Sequence, residues 1–317
     1  MSVRRIRRRS SVEKWFAPAP ERESFRVRKT PDSLDSYESR SGFDENFIGS
    51  GDRRVSLPGL GSWSGVDQVA HRIDAPGEYI LRYQHFSVVV ARQRRMPLIS
   101  AVNIDGNAPR RRVKRTDVWK LDPRIPIECQ ILEDCYGHAH DGFFSRGHMT
   151  RREDANWGSM KTARLADADT FHVTNAVPQA QSFNSPIWLG LESYLLTRAN
   201  ADHMRVSVIT GPILSEDDLE MFGMQIPSQF WKVIAFVNDR TCRLSVTAYL
   251  ASQALQIEGL RELQFVFGQY RDWQVPLRRV AKLSGLDFLH LLKYDPLSSA
   301  DDRFVFQLKE ASDVFTQ

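Results

Sequence analysis

The apolar residues of this chain form short runs that are rich in β-branched and aromatic side chains and are separated by polar breaks. Runs of this length and composition predict β-strands. They comprise residues 79–83, 86–91, 97–104, 204–210, 230–237 and 244–250. Two of the first three runs are almost continuously apolar, which is typical of strands that are buried on both faces.

Two longer segments carry the three- and four-residue apolar spacing of helices. In residues 186–200, Ser185 is placed to cap the helix, and Pro186 fits its first position, where a missing N–H is no loss. Residues 277–292 contain Ser284-Gly285, which predicts a division into two shorter helices. Because strands predominate and helices are inserted between them, we expect an α+β domain with a central mixed or antiparallel sheet.

Composition divides the chain of 317 residues into a central domain and two terminal segments. Apolar residues make up 42% and charged residues 26%, so a sizeable core can be buried. Residues 1–36 are rich in Arg, Glu, Ser and Pro without a sustained period, which predicts a flexible basic tail or a segment that folds on a partner. We expect the domain over residues 37–300, irregular over 37–75, and a C-terminal tail over 301–317.

Positive charge is concentrated in two places, although the net charge is only +4. The first ten residues carry five arginines and no acid, and Arg110–Arg115 holds five positive charges in six residues. Concentrated positive charge attracts polyanions, and each phosphate contact releases condensed counterions. A solvated tail and a solvated loop would have the same composition, so charge alone suggests a nucleic-acid partner without establishing one.

Several classes of protein are disfavoured by what the chain lacks. No run of about 18 apolar residues is present, so no membrane-spanning helix and no membrane partner are expected. The basic N-terminus is not followed by an apolar segment, which argues against a secretory signal. Three scattered cysteines fit neither a disulfide framework nor a zinc site, and we expect a cytoplasmic location.

The segment 144–149 contains the residue types that a phosphodiester site needs. Gly147 would let the backbone approach a phosphate, because no Cβ stands in the way. Arg146 can pair with phosphate through its planar donors, and His148 titrates near neutral pH and can take a proton from water. The alternative is an ordinary histidine at the end of a strand, and the segment by itself does not exclude it.

A second group of candidates lies in the predicted helix at 186–200. Asn184 comes just before this helix, and Glu192 lies about 80° around the helix axis from it. Oxygen ligands of this kind suit Mg²⁺, which keeps most of its waters and needs few protein ligands. A capping Asn and a solvent-facing Glu are the alternative.

Together these segments resemble the DNA/RNA non-specific endonucleases, whose active site is the ββα-metal (His-metal finger) motif. The resemblance is carried in order by Phe144-Ser145-Arg146-Gly147-His148-Met149, then by Asp169–Ala176 with Pro178-Gln179 as a second strand, then by Asn184, Trp188 and Glu192. Further agreement is found at Ala101–Gly106, Thr210-Gly211-Pro212, Phe230-Trp231-Lys232 and Val275-Pro276. The resemblance covers roughly residues 40–297 and implies this active site within the α+β fold.

The resemblance also implies roles for individual residues. His148 would be the general base that activates the attacking water, and Asn184 would be the direct protein ligand of Mg²⁺, for which Mn²⁺ can substitute. Glu192 would hold metal-bound waters, Asn175 would orient the histidine or those waters, and Arg146 would contact or organise the phosphate region. The implied substrates are DNA and RNA, and a homodimer stays open because members of the family are often dimers.

One departure from the family pattern leaves an alternative function open. The family usually has Asp at the position of Ser145, whose hydroxyl can bind a metal water but carries no charge. The mitochondrial exo/endonuclease branch resembles this Ser-Arg-Gly-His version, so we expect Ser145 to serve in an active site. The alternative is a catalytically weak module that binds nucleic acid.

A third hypothesis makes the protein the effector of a bacterial defence or toxin system. Its residues 1–36 would then dock on a regulatory protein that restrains the nuclease. Among the remaining candidates, we interpret His138-Ala139-His140 as a polar loop, His172 as a core histidine, Asp217-Asp218 as surface acids and Arg115 as a loosely matched phosphate contact.

Overall fold

The structure is a computed structural model of the whole chain. It describes residues 27–28, 30–65, 67–132, 136, 144–180, 203–254, 271–301 and 304–307. The predicted helix over 186–200, with Asn184 and Glu192, lies outside the described residues, and so do His138 and His140.

The described residues form fourteen strands and four α-helices. The strands are β1 (Val27–Arg28), β2 (Leu81–Arg82), β3 (Phe86–Ala91), β4 (Met96–Asp105), β5 (Trp119–Lys120), β6 (Phe144–His148), β7 (Ala176–Ala180), β8 (Arg205–Ile213), β9 (Leu219–Met221), β10 (Met224–Ile226), β11 (Gln229–Val237), β12 (Leu244–Ser252), β13 (Arg271–Val275) and β14 (Phe306–Gln307). The helices are α1 (Arg152–Ala155), α2 (Met160–Thr170), α3 (Leu277–Ser284) and α4 (Leu289–Leu292).

An antiparallel sheet of eight strands organises the described residues, in the order β14-β13-β12-β11-β8-β4-β3-β2. All six predicted strands belong to it, and the predicted α+β class is confirmed. The helical segment over 277–292 is divided as predicted, because Gly285 takes the left-handed conformation (φ 71°) that ends α3.

The sheet is buried on both faces, as its nearly continuous apolar strands predict. Neighbouring residues of one strand enter different cores: Val88 packs in a cluster with Phe144, Val177 and Met149, and Val89 packs in a second cluster that contains residues of α3 and α4. The β6–β7 strand pair and the C-terminal helices therefore lie on opposite faces of the sheet.

Helix α2 is a helix that the sequence analysis missed. Ser159 caps it by accepting a hydrogen bond from the Thr162 N–H at 3.1 Å. Its buried side chains include two acids that form ion pairs: Asp167 contacts Arg152, and Asp169 contacts Arg40 at 2.6 Å. These acids interrupt the apolar pattern that would have indicated a helix.

The predicted second strand over residues 169–176 is wrong in its limits. Asp169 and Thr170 end α2, a 3₁₀ turn covers Val173–Asn175, and the strand begins only at Ala176. Asp218 is likewise not a surface acid, because its carboxylate is buried and paired with Arg94 and the Ser215 N–H.

Parts of both predicted tails contact the domain. Within residues 1–36, β1 pairs in parallel with β5, Val27 is buried beside Trp119, and Asp32 binds Lys120 at 2.7 Å. In the C-terminal segment, β14 adds a short edge strand to β13. Among the described residues, no helix has both the length and the apolar character to cross a membrane.

Candidate active site

The candidate site begins at the end of strand β6, where His148 is the last residue. Strand β6 pairs antiparallel with β7, so that His148 lies opposite Ala176 and Phe144 lies opposite Ala180. At the far end of β7, Gln253 fixes the strand pair to the main sheet by accepting from the Ala180 N–H at 2.9 Å. The histidine is therefore held on a strand that is fixed by its pairing, which suits a group that needs a fixed orientation.

The His148 ring is enclosed by two aromatic side chains. Its centroid lies 4.8 Å from the ring of Trp119 and 5.1 Å from that of Phe171, which meets it edge to face. The Nε2 atom is buried and has no hydrogen-bond partner among the described residues. Trp119 and Phe171 were not predicted as site residues, and no spacing in the sequence relates either of them to His148.

The environment of His148 favours its neutral form. Burial, and after it the positive charge of Arg115, lower the pKa of the imidazole to about 3, while Glu153 opposes the shift. The ring is therefore uncharged across the physiological range, and one of its nitrogens carries a lone pair that can accept a proton. This is the protonation state that a general base requires.

Asn175 holds the chain immediately after His148. Its side-chain oxygen accepts from the Thr150 N–H at 2.9 Å and from the Ser100 hydroxyl at 2.9 Å. Its side-chain NH₂ donates to the carbonyls of Thr150 and Thr170, each at 3.0 Å, and its own carbonyl accepts from the Met149 N–H at 2.9 Å. The amide therefore joins the segment that follows the histidine to β4 and to the end of α2.

Ser145 and Gly147 share a face of β6 that is opposite to that of Arg146 and His148, because side chains alternate along a strand. The Ser145 hydroxyl donates to the carbonyl of Gln179 at 3.3 Å. A Cβ on Gly147 would lie 2.0 Å from the side chain of Gln179. The space that the sequence analysis assigned to a phosphate at Gly147 is therefore filled by Gln179.

The guanidinium of Arg146 is engaged in packing. It lies over the rings of Tyr136 at 4.5 Å and Trp119 at 5.5 Å, and it donates to the Leu132 carbonyl. The residue is only 9% exposed. Arg146 thus supports the tryptophan that contacts His148, and its predicted contact with the phosphate region stays a prediction.

The basic cluster Arg110–Arg115 runs past the same site and is only partly free. Arg110 donates to the Glu153 carbonyl, and Arg111 donates to that of Gly158 at 3.0 Å, so these two fasten the segment to the chain around α1. Arg112, Lys114 and Arg115 are exposed. Arg115 pairs with Asp117 and lies 5.8 Å from the ring of Phe171, which itself contacts His148.

His172 is a fully paired core histidine, as predicted. Its Nδ1 lies 2.7 Å from the Asp169 carbonyl, and its Nε2 lies 2.7 Å from the Tyr37 hydroxyl. Burial lowers the pKa of this ring to about 4. His172 is therefore neutral like His148, but it is fully buried and both of its ring nitrogens are paired.

The predicted metal ligand Asn184 and the predicted water-binding Glu192 lie outside the described residues. Among the residues that the structure describes, no group of three or more His, Cys, Asp or Glu side chains is placed to hold a metal ion. The carboxamide of an Asn is an oxygen ligand of the kind that Mg²⁺ accepts alongside waters.

Comparison with known proteins places this geometry in context. A family described as DNA/RNA non-specific endonuclease matches residues 69–295. The protein y4fB of Sinorhizobium fredii is 36% identical over 281 residues, which make up 84% of this chain and 40% of that protein. Human mitochondrial nuclease EXOG is 30% identical over 207 residues, or 60% of this chain and 50% of the human protein. The chain thus spans about half or less of the length of these two relatives.

A solved structure has the same fold. The chain in the crystal structure of the EndoG/EndoGI complex matches with a TM-score of 0.50 and 20% sequence identity. The match covers 68% of this chain and 87% of the other.

Proposed function

We propose that this chain, which belongs to the DNA/RNA non-specific endonuclease family, is a metal-dependent nuclease that hydrolyses phosphodiester bonds in DNA and RNA. The family predicted from the sequence is confirmed, and phosphodiester hydrolysis is the reaction class of that family. One observation carries the proposal: the lowered pKa keeps His148 neutral at the end of a strand that is paired with β7, and its buried Nε2 has no partner among the described residues.

In this proposal His148 accepts a proton from the attacking water. The lowered pKa keeps the ring unprotonated before substrate binds. An anionic phosphate beside the ring would raise that pKa towards neutrality, which strengthens the base in the complex. Trp119 and Phe171 fix the ring plane, so that the nitrogen is oriented before the substrate arrives.

The cofactor in this proposal is Mg²⁺, which Mn²⁺ can replace. Asn184 would bind the ion directly, and Glu192 would hold its waters. A bound divalent ion stabilises the extra negative charge of the phosphoryl transition state and of the leaving oxygen. Asn175 and Arg146 act as positioning residues, through the chain after His148 and through Trp119 respectively.

The exposed cations at Arg112, Lys114 and Arg115 fit a nucleic-acid substrate, because contacts with phosphate bind DNA and RNA without reading their sequence. A homodimer, a role as a bacterial defence or toxin effector, and docking of residues 1–36 on a regulator stay predictions. The cytoplasmic location stays a prediction too.

The test is cleavage of plasmid DNA and of RNA with Mg²⁺ or with a chelator. The wild type should cleave only with the metal, and His148→Ala should lower the rate by about 10²- to 10⁴-fold. His172→Gln is the matched control, because it alters a buried neutral histidine whose nitrogens are both paired, and it should keep the rate per folded molecule. Undiminished cleavage by His148→Ala would overturn the assignment, and binding without cleavage under every metal would favour the weak binding module.

A further inference from the structure

A second basic site lies away from His148, in a cavity of about 740 Å³ at the turn between β11 and β12. Its charged lining consists of Arg53, Arg240, Arg243 and Lys293 with Asp52 and Asp295. On the other side of the cavity lies the segment after α4, the helix that packs on the face of the sheet opposite to the β6–β7 strand pair. The proposed nuclease chemistry uses none of these residues.

The turn that carries two of the arginines is held in shape by its own hydrogen bonds. The Asn238 side-chain oxygen accepts from the Arg240 N–H at 3.0 Å and from the Thr241 N–H at 3.2 Å. The Cys242 N–H donates to the Asn238 carbonyl at 2.8 Å, and Cys242 has a φ of 53°. The loop is therefore organised before any ligand binds, which reduces the entropy cost of binding.

A third arginine is joined to this turn from elsewhere in the chain. Arg53 donates from Nη2 to the Cys242 carbonyl at 3.1 Å, which leaves its other donors available. The side chains of Arg240 and Arg243 are exposed and have no hydrogen-bond or ion-pair partner among the described residues. Three arginines thus line one cavity.

The two carboxylates of the lining do not neutralise these arginines. Asp52 is bound by Lys293 and by the Tyr294 hydroxyl, each at 3.2 Å. Asp295 accepts from the Leu277 N–H at 2.8 Å and from the Leu297 N–H at 2.9 Å, so it caps the start of α3. In these contacts neither acid binds an arginine, and the charged lining of four basic residues and two acids is net positive.

We propose that this cavity binds a phosphomonoester of nucleotide size. A guanidinium fork matches the oxygens of phosphate, and its charge-assisted hydrogen bonds are stronger than neutral ones. The volume of about 740 Å³ lies within the range of small-ligand sites. The phosphate comes from a free nucleotide or from the 5′ end of a nucleic acid, and the experiment below distinguishes the two sources.

The test is calorimetric titration of the full chain, with a chelator present so that no hydrolysis occurs. The probes are adenosine 5′-monophosphate, adenosine, and a short 5′-phosphorylated oligonucleotide. The variant is Arg240→Gln with Arg243→Gln. Its matched control is Arg82→Gln with Arg92→Gln, which removes one arginine from the edge strand β2 and one just after β3, several strands away from β11 and β12.

We expect the monophosphate to bind the wild type and the control within about twofold of each other, and the double variant about tenfold more weakly. A parallel loss for the oligonucleotide identifies nucleic-acid ends as a source, and an unchanged oligonucleotide affinity identifies the free nucleotide. Equal binding of monophosphate to wild type and double variant, or adenosine binding as tightly as its monophosphate, overturns the proposal. The binding result stands whether or not the chain cleaves nucleic acid, and the double variant should keep the wild-type cleavage rate.

Discussion

Two histidines, at the end of β6 and just after α2, differ in one respect that separates chemistry from structure. His148 and His172 are both enclosed by aromatic rings, and burial lowers the pKa of both. His172 pairs both ring nitrogens with neighbouring groups. The Nε2 of His148 has no partner among the described residues.

The difference between the two histidines shows that a shifted pKa does not by itself identify a functional residue. Burial alone disfavours the charged form of an imidazole, whatever the ring does. A buried polar atom without a partner costs about 1–3 kcal/mol. An unpaired nitrogen on a ring that is packed against its neighbours is therefore a stronger indication of a proton-accepting site than a lowered pKa.

Asn175 connects the two regions, since it ends the 3₁₀ turn after His172 and holds the chain after His148. Asn175→Ala leaves the buried Thr150 N–H unpaired, so it should lower the free energy of unfolding by about 2–3 kcal/mol. The cleavage rate of the folded fraction should fall by at least about tenfold, because small displacements of a catalytic group are costly. Denaturant unfolding and plasmid cleavage measure the two effects.

Asn103 offers the matched control for that variant. It is also a buried amide, and it pairs with the Asp44 N–H and the Ser207 hydroxyl away from His148. Asn103→Ala should lose comparable stability and keep the cleavage rate per folded molecule. Equal loss of rate in both variants would show that Asn175 acts only through general stability.

Acid pH should destabilise the protein through both histidines. Their folded pKa values of about 3 and about 4 lie below the usual 6.5, so below pH 6.5 the unfolded chain binds protons that the folded chain does not. The stability present above pH 6.5 is therefore lost as the pH falls, by up to about 1.4 kcal/mol per pH unit for each ring.

Urea unfolding between pH 6.5 and 5 measures this slope, above the range where carboxylates titrate. His148→Gln and His172→Gln should each reduce the dependence of the unfolding free energy on pH by the contribution of one titrating group. An unchanged slope in His148→Gln would mean that the His148 ring is protonated as easily in the folded chain as in the unfolded chain. The two histidines would then differ only in the hydrogen-bond partners of their ring nitrogens.

Ser145→Ala should have the smallest effect. The Ser145 hydroxyl faces away from His148 and binds the Gln179 carbonyl at 3.3 Å, so its removal should cost less than about 1 kcal/mol. The cleavage rate should stay within about threefold of the wild type. A loss of tenfold or more would place the hydroxyl in the reaction and support the predicted role of Ser145 in the active site.

Much of the fold was predictable because a strand can be recognised from its own short run of apolar residues. The runs that became β3, β4, β8, β11 and β12 are apolar enough to be recognised without any knowledge of their partners. Helix α2 was not predictable in this way, because it buries small residues and paired acids instead of an apolar stripe. The ion pairs that permit this burial join residues more than ten positions apart, such as Arg40 and Asp169.

The sequence by itself determined the family and the residue types of the site, since the order Ser145-Arg146-Gly147-His148 is a property of the chain. Only the tertiary structure decided what those residues do to one another. In the folded chain Arg146 packs on Trp119, and the side chain of Gln179 occupies the space beside Gly147. The Nε2 of His148 has no hydrogen-bond partner among the described residues. The physical reason is that hydrogen bonding and desolvation depend on which distant segments meet, and a local pattern does not contain that information.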